Sequence, residues 1–315
     1  MGDAEQRDMA AAQLIDLELI RRFVIVAEEL NFTRAAARLG LAQPPLSAAI
    51  SKLERKLGVR LLERTSRRVT LTPAGAVLLE QGRIAVEAAG AAVERARRAG
   101  TQPSRLTVAV KPGTGTDLLQ KIMQRCAQDP QVPEVHLLFG HPGGPAAAVR
   151  SGNADVAILR APFDQRGLDT ELLLTEPRVA ALPVCHHLAS RTELRRADLA
   201  GEPMPRWAGQ PDPAAASYWT GGNPSAEPPP GPEINDISQL LDAVALGNSV
   251  AYVPVSLADQ YRSVVGLIFL PVTDLSPSEV LVAWPDTSRS RAVAGFVRAA
   301  VEVAASHIEQ TAALT

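Results

Sequence analysis

The 315-residue sequence predicts two fold types in one chain: an all-α N-terminal domain with a small hairpin, and an α/β body reached through a long helix. Three observations support this: closely spaced amphipathic segments before residue 60, a sustained helical pattern over residues 73–98, and strand–helix alternation from Leu106 onwards. The length also exceeds that of one typical domain. We expect a disordered extension at residues 1–14, the N-terminal domain at 15–72, a linker helix with its hinge at 73–103, and the body at 104–315.

The N-terminal domain is predicted to contain three helices with a sharp turn between the second and the third. Apolar residues at three- and four-residue spacing predict the first helix over Leu17–Leu30. Thr33 can cap the short second helix through its hydroxyl, and Gly40 can supply the left-handed residue that ends it. Pro44 and Pro45 suit the first turn of the third helix, where a missing N–H had no partner.

The third helix and the hairpin after it have the features of a DNA-reading unit. Gln43 could make a two-point contact to an adenine edge, whereas Ser47 and Lys52 are better placed for phosphates. Two short strands, Arg60–Arg64 and Arg67–Leu71, would carry arginines at the hairpin tip, which suits a narrow minor groove. This pattern is typical of a winged helix-turn-helix. The candidate DNA contacts are Thr33, Arg34, Gln43, Pro44, Pro45, Ser47, Ser51, Lys52, Arg64, Arg67 and Arg68.

Charge is distributed unevenly along the chain. Residues 16–72 hold 11 Lys/Arg against 6 Asp/Glu, while the whole chain holds 32 against 34, so this segment carries +5 and the remainder −7. A basic domain attached to an acidic body is typical of a protein that binds nucleic acid through one domain only. The alternative is a common two-helix unit with a basic, solvated hairpin edge.

Five motifs in this segment stand at a characteristic spacing: Phe32-Thr33-x-Ala-Ala, Gln43-Pro-Pro-Leu-Ser47, Leu53-Glu54-x-x-Leu57-Gly58, Leu61-Leu62-x-Arg64 and Leu71-Thr72-x-x-Gly75. Together they resemble the DNA-binding domain of LysR-type transcriptional regulators. Ala48 departs from the family pattern, since many relatives have a basic residue at this position. More of the DNA contact would then be made by Gln43, Lys52 and the hairpin. The resemblance implies a DNA-binding regulator of promoters that is controlled by a small-molecule effector.

A long linker helix is predicted from Pro73 to about Arg98, with Gly100–Ser104 as its hinge. Its apolar stripe is narrow and mostly small-sided, so two such helices can pack closely; the alternative is a helix lying on its own domain. The resemblance implies an antiparallel dimer of linker helices, and a homotetramer made from two such homodimers. The candidate dimerisation residues are Val77, Ile84, Ala88 and Ala91.

The first part of the body alternates short apolar strands with helical segments, which is typical of parallel-sheet α/β units. A second such unit is expected over Arg178–Leu270, with Asp236 capping a helix over Ile237–Leu246 and a Pro/Gly-rich loop at residues 211–232. The chain should then return to the first unit through Val280–Ala283 and a helix after Arg289. The resemblance implies a two-lobed effector domain similar to periplasmic binding proteins, with lobe I at about 104–177 and 271–315 and lobe II at about 178–270.

Ligands of such sheets bind beyond the carboxyl ends of the strands. Arg160 offers a guanidinium that could hold a carboxylate, with Lys111 nearby, so an anionic small-molecule effector is expected ahead of a neutral one. Helix capping by Thr114 and Thr116 and a surface salt bridge of Arg160 are the competing interpretations. The candidate effector-binding residues are Lys111, Thr114, Thr116, His141 and Arg160.

The alternative functions are an enzyme that uses the α/β body and an architectural DNA-binding protein without effector control. No G-x-S-x-G elbow, Walker loop or G-x-G-x-x-G opening a strand–helix unit supports the enzyme. A body of this size is excessive for the architectural protein. Cys185-His186-His187 is the only tight metal-like cluster, and adjacent residues of an extended strand would face apart, so we expect no metal and no cofactor.

The two cysteines, Cys126 and Cys185, are expected to be reduced core residues, with a redox-sensing pair as the alternative. The polar N-terminus has no signal-peptide core, and no apolar stretch is long enough to span a bilayer. We therefore expect a cytoplasmic, nucleoid-associated protein without a membrane partner.

Overall fold

The computed structural model describes residues 16–64, 68–101, 105–208, 213–222 and 228–312, and the chain divides into two compact units, Met1–Val93 and Glu94–Thr315. The extension predicted at residues 1–14, Arg67 of the hairpin tip and residues 102–104 of the hinge lie outside the described residues. Within the described ranges, no helix is both long enough and apolar enough to cross a membrane.

The N-terminal unit is a three-helix domain with a short antiparallel hairpin. Its elements are α1 (Leu17–Glu29), α2 (Phe32–Leu39), α3 (Gln43–Leu57), β1 (Leu62–Arg64) and β2 (Val69–Leu71), followed by the long helix α4 (Pro73–Thr101). Fully buried Phe23, Leu46, Ile50 and Leu53 form its core. Gly40 ends α2 with a φ of 66°, which confirms the turn predicted there.

The cap of α2 differs from the prediction. The Asn31 side chain accepts hydrogen bonds from the backbone amides of Thr33 and Arg34, at 2.9 and 3.0 Å. Thr33 is therefore not the cap, because the helix already starts at Phe32 and Thr33 lies inside its first turn. The prolines of α3 fall in its first turn, as predicted.

The start of α4 packs against the residue before the hairpin. The amide of Thr72 donates to the Leu61 carbonyl at 3.0 Å, and the Thr72 hydroxyl accepts from the amide of Gly75 at 3.0 Å. A Cβ at Gly75 would stand 2.0 Å from the Leu61 carbonyl oxygen. This approach requires glycine, which gives the last residue of the fifth sequence motif its physical reason.

The residues predicted to form the dimerisation stripe on α4 differ in exposure. Val77 is 63% exposed and Ile84 40% exposed, and Ala88 is also exposed. Ala91, in contrast, is only 2% exposed in the single chain. Ala91 therefore does not belong to the apolar surface that α4 presents.

The second unit begins with alternating strands and helices. These are β3 (Arg105–Val110), α5 (Thr116–Cys126), β4 (Glu134–Leu138), α6 (Gly144–Arg150), β5 (Val156–Arg160) and β6 (Leu168–Glu176). β3 is parallel to both β4 and β5, as predicted for this part of the body.

The chain then builds a second lobe. Its elements are β7 (Arg178–Pro183), β8 (Met204–Trp207), α7 (Pro213–Trp219), β9 (Pro230–Ile234), α8 (Ile237–Ala245), β10 (Ala251–Pro254), α9 (Val255–Tyr261) and β11 (Leu267–Pro271). Asp236 caps α8, as predicted, by accepting from the amide of Gln239 at 2.9 Å. The predicted return to the first lobe is also confirmed, by β12 (Ser278–Pro285) and α10 (Arg291–Ala312).

The sheets of the two lobes differ in strand direction. The first lobe has a five-stranded sheet in the order β4-β3-β5-β12-β6, in which β12 is antiparallel to its neighbours. The second lobe has an antiparallel sheet in the order β10-β7-β11 and a separate parallel pair, β8 and β9. The parallel unit predicted for the second lobe is therefore wrong for its main sheet, because apolar strands of this length read alike in either direction.

The loop predicted at residues 211–232 is wrong in part, since α7 lies within it and β9 begins there. Pro213 can open a helix and three alanines follow it, so the local sequence favours α7 despite the surrounding prolines and glycines. β9 contains Pro230 and Pro232, and it belongs to a two-stranded sheet in which each strand has an unpaired edge.

Candidate functional site

The outer face of α3 is polar and accessible. Gln43, Pro44, Pro45, Ser51 and Lys52 are exposed, and Ser47 is partly buried. The opposite face is buried in the core, because its apolar residues recur every three or four positions. The structure therefore presents the polar face that the sequence predicted, on a helix held firmly by its apolar side.

Arg64, predicted at the hairpin tip, is exposed at the end of β1, next to the hairpin turn. It pairs with Glu54 at 3.2 Å, donates to the Ser47 hydroxyl at 3.3 Å and stacks on the Phe32 ring at 4.8 Å. These contacts connect the hairpin to α2 and α3. Arg68 is exposed.

Glu54 positions the hairpin, a role that the sequence analysis did not predict. Its carboxylate accepts from the backbone amides of Leu61 and Leu62, at 2.9 and 3.2 Å, in addition to its pairing with Arg64. It therefore fixes the start of the hairpin on α3. The Leu53-Glu54 motif contained the signal, but its spacing did not identify the partner.

The two candidates on α2 are exposed. Arg34 pairs with the Glu29 carboxylate at 3.2 Å and donates to the Glu29 carbonyl at 2.6 Å. Thr33 stands beside it in the first turn of the helix. Both can approach phosphate groups, although Arg34 would exchange part of its contact with Glu29.

A pocket that is open to solvent lies between the two lobes of the second unit. Two of the five predicted effector residues, Lys111 and Arg160, line it. The other walls come from the second lobe and are mainly apolar, with Met204, Trp207, Trp219, Leu240, Tyr252 and Leu257 among them. The sequence prediction missed these walls, because α7 and β8 were not recognised as elements that face the first lobe.

The other three predicted effector residues are not in the pocket lining. Thr114 is buried, and its hydroxyl donates to the Lys111 carbonyl. Thr116 is exposed at the start of α5, and His141 lies partly buried in the loop after β4. The five predicted residues therefore do not all line one pocket, although Lys111, Thr114 and Thr116 follow the same strand, β3.

Arg160 is buried in a polar network and is not a free cation. Its guanidinium pairs with Glu176 at 2.7 Å, and the two side chains are only 4% and 6% exposed. It also donates to the hydroxyls of Ser278 and Ser256, at 2.9 and 3.1 Å, and to the Gly113 carbonyl at 3.1 Å. The prediction that Arg160 offers its guanidinium to a ligand carboxylate is corrected: Glu176 already occupies that position.

Glu176 connects the lobes as well as neutralising Arg160. It ends β6 of the first lobe, and its carboxylate accepts from the amide and the hydroxyl of Ser256, at 2.7 and 2.9 Å. Ser256 lies in the first turn of α9, where a carboxylate satisfies free amides and interacts favourably with the helix dipole. The hinge region is thus held by a buried ion pair with a helix cap.

Among the cations that line the pocket, Lys111 is the one without a compensating charge. No carboxylate of the described chain forms an ion pair with it, and its ammonium lies 5.7 Å from the centre of the Trp207 ring and 5.5 Å from that of Trp219. Burial lowers the pKa of Lys111, and the positive charge of Arg160 lowers it further. The pocket therefore combines apolar walls with one uncompensated ammonium.

Arg178 holds one wall of this pocket in place. Its guanidinium is buried, donates to the Tyr218 carbonyl at 2.7 Å and to the Ser276 carbonyl at 2.7 Å, and stacks 3.8 Å above the Tyr218 ring. Tyr218 in turn donates to the Pro277 carbonyl. These contacts fix α7, and with it Trp219, on the segment that returns to the first lobe.

The two cysteines have different environments. Cys126 is buried in the first lobe, as predicted, and burial raises the pKa of its thiol to about 11, which disfavours the reactive thiolate. Cys185 is exposed, so the prediction that it is a core residue is wrong. It follows β7 directly, in a turn at the surface.

The histidines after Cys185 do not point apart, contrary to the prediction. They lie in a turn, where the His186 and His187 rings are 4.4 Å apart and Glu202 is close by. The Nδ1 atom of His186 accepts from the Leu188 amide at 3.3 Å, and its Nε2 atom lies 3.3 Å from a Glu202 carboxylate oxygen. One ligand atom from each of His186, His187 and Glu202 lies within 4.8 Å of the others.

Both units match models of known families. Residues 17–76 match the bacterial regulatory helix-turn-helix proteins of the lysR family, and residues 99–305 match the LysR substrate binding domain. The Hca operon transcriptional activator HcaR of Escherichia coli (strain K12) is 31% identical over 299 residues, which cover 93% of this chain and 99% of that relative. The regulator CatR of Pseudomonas putida is 32% identical over 251 residues, which cover 79% and 86% of the two chains.

Solved structures show the same fold. Full-length BenM superposes with a TM-score of 0.54 at 24% identity, covering 93% of this chain and 98% of BenM. Full-length CbnR in complex with its target DNA superposes with a TM-score of 0.51 at 23% identity, covering 92% and 100% of the two chains. With a winged helix-turn-helix at one end and a two-lobed α/β domain at the other, the chain belongs to the LysR family of DNA-binding transcriptional regulators and is not an enzyme.

Proposed function

We propose that this regulator binds two-fold-related promoter sites as a cytoplasmic, nucleoid-associated homodimer or homotetramer, and that a small molecule in the interlobe pocket changes this binding. The observation that carries the proposal is the pocket itself, which is apolar, lies between two lobes and contains one uncompensated lysine. In the proposed division of the chain, residues 15–72 bind DNA, residues 73–103 form the assembly contacts and residues 104–315 bind the effector.

The DNA contacts are proposed to centre on the exposed face of α3. Gln43 lies at the start of the helix, where it can reach a base edge, and Lys52 lies farther along the same exposed side. Thr33, Arg34 and Arg68 flank this face. Arg64 supports the face through Ser47 and Glu54, as its contacts within the domain indicate.

Replacing Gln43 with alanine should weaken binding to the preferred operator by about 1–3 kcal/mol and relax the base preference at one position, because a two-point contact to an adenine would be lost. The measurement is fluorescence anisotropy on an operator selected from a random DNA pool and on its single-base variants.

Lys52→Ala is the matched comparison, since it removes a phosphate contact from the same helix. It should weaken all operator variants about equally and reduce the slope of log affinity against log salt by about 1. If Gln43→Ala keeps the base preference of the parent protein, the proposed reading of bases by α3 at this position is wrong.

Assembly is proposed to use the apolar residues that α4 leaves exposed, Val77, Ile84 and Ala88. An apolar stripe on a long helix is costly to leave in water, and the small side chains allow a second helix to approach closely. A two-fold dimer would also place two α3 helices for two half-sites.

A further inference from the structure

We propose that the interlobe pocket selects a small, flat organic monoanion, and that Lys111 is the residue that recognises its charge. This inference rests on the proposed effector pocket and assigns the chemical class of its ligand. It differs from the sequence prediction, in which Arg160 carried the anion-binding role.

The charges at the pocket favour one negative charge in the ligand. Arg160 is neutralised by Glu176 at 2.7 Å. None of the described residues that line the pocket is acidic, so Lys111 contributes a net positive charge that nothing in the lining offsets. A monoanion would neutralise this charge, whereas a second negative charge would be buried among apolar side chains without a partner.

The shape and chemistry of the walls favour a flat, apolar ligand body. Trp207 and Trp219 approach the Lys111 ammonium from β8 and from α7, respectively, at distances suited to cation–π attraction. These two rings lie close enough to the ammonium to attract it. An anion that draws the ammonium towards itself would expose ring surface, on which a flat ligand could stack.

At a pH above the depressed pKa of Lys111, where the free amine is uncharged, binding of an anion should be linked to proton uptake. Burial and the Arg160 charge depress the pKa of Lys111, and an adjacent anion would raise it again. Of the other groups around the pocket, Arg160 is paired with Glu176, Arg178 stacks on Tyr218, and burial raises the pKa of Tyr252 to about 12. Affinity should therefore be highest at low pH and fall as the pH rises through the depressed pKa of Lys111.

The test uses the full-length chain with benzoate as the flat monoanion, benzamide as its neutral isostere and phthalate as the dianion. Binding is followed by tryptophan fluorescence, and proton uptake by calorimetry in buffers of different ionisation enthalpy. We expect benzoate to bind with uptake of protons, and both comparison compounds to bind about tenfold more weakly or worse.

Lys111→Met should weaken benzoate binding by about tenfold or more and remove the proton uptake, because it keeps the apolar stem and removes the charge. Lys121→Met, which removes the other lysine of the effector domain, should change neither. Lys111→Arg should retain benzoate binding. Proton uptake is measured on the unsubstituted protein, so that measurement does not depend on whether a variant folds.

The inference is overturned if benzoate does not bind, if benzamide binds equally well, or if Lys111→Met binds benzoate as tightly as the parent protein. These outcomes concern the ligand class alone. The proposed location of the effector pocket is contradicted separately if Leu240→Trp, which fills the pocket, leaves the effect of benzoate on operator binding unchanged.

Discussion

Glu176→Ala should destabilise the effector domain by about 3–5 kcal/mol, because it leaves the buried Arg160 guanidinium without its counter-charge. The two side chains are 4% and 6% exposed, so water cannot replace the lost carboxylate without opening the hinge. The same change removes the cap of α9, since the Ser256 amide loses its acceptor. Urea unfolding followed by circular dichroism measures the free energy of unfolding.

Glu171→Ala on the same strand is the matched control, since Glu171 is exposed, and it should change stability by no more than about 0.5 kcal/mol. Combining Arg160→Met with Glu176→Leu should recover much of the loss, because neither charge is then buried alone. A loss of less than about 1 kcal/mol in Glu176→Ala would show that the pair is not the main support of the hinge.

The double variant Ile84→Asp/Ala88→Asp should convert the protein into monomers and weaken operator binding by about 10²–10⁴-fold. Charges inside a close helix–helix contact would be desolvated without partners, and a monomer can engage only one half-site. Sedimentation velocity gives the assembly state, and anisotropy on a two-half-site operator gives the affinity.

Ala76→Asp is the control for this experiment, since Ala76 is exposed about a quarter turn away from the stripe and lies near the N-terminus of α4, where an acidic residue is tolerated. It should leave both assembly and operator affinity unchanged. If the double variant remains a dimer, assembly does not use the exposed stripe of α4.

The sequence was sufficient for the parts of the fold that depend on local patterns. Three-residue and four-residue spacing located the helices of the N-terminal unit, and Gly40 marked the turn because few other residues adopt a positive φ there. Errors arose where neighbouring candidates compete, as at the cap of α2, where Asn31 and Thr33 both have a suitable side chain.

The effector pocket depended on contacts between distant residues, which local patterns do not encode. Arg160 meets Glu176, Ser256 and Ser278 only after the two lobes have formed, so its neutralisation could not be predicted from the residues beside it. Trp219 lies on α7, within a stretch whose prolines and glycines suggested a loop. Lys111 was predicted only as a neighbour of the main cation, and it lines the pocket together with Arg160.

The most direct test of this account measures the operator affinity of the parent protein, Leu240→Trp and Leu246→Trp, each with and without benzoate. Leu240 lines the pocket, whereas Leu246 is 75% exposed just beyond the same helix, so the two variants add the same ring in different places. We predict that benzoate changes the operator affinity of the parent protein and of Leu246→Trp but not that of Leu240→Trp. A benzoate response that persists in Leu240→Trp, or one that is absent from the parent protein, would contradict the account.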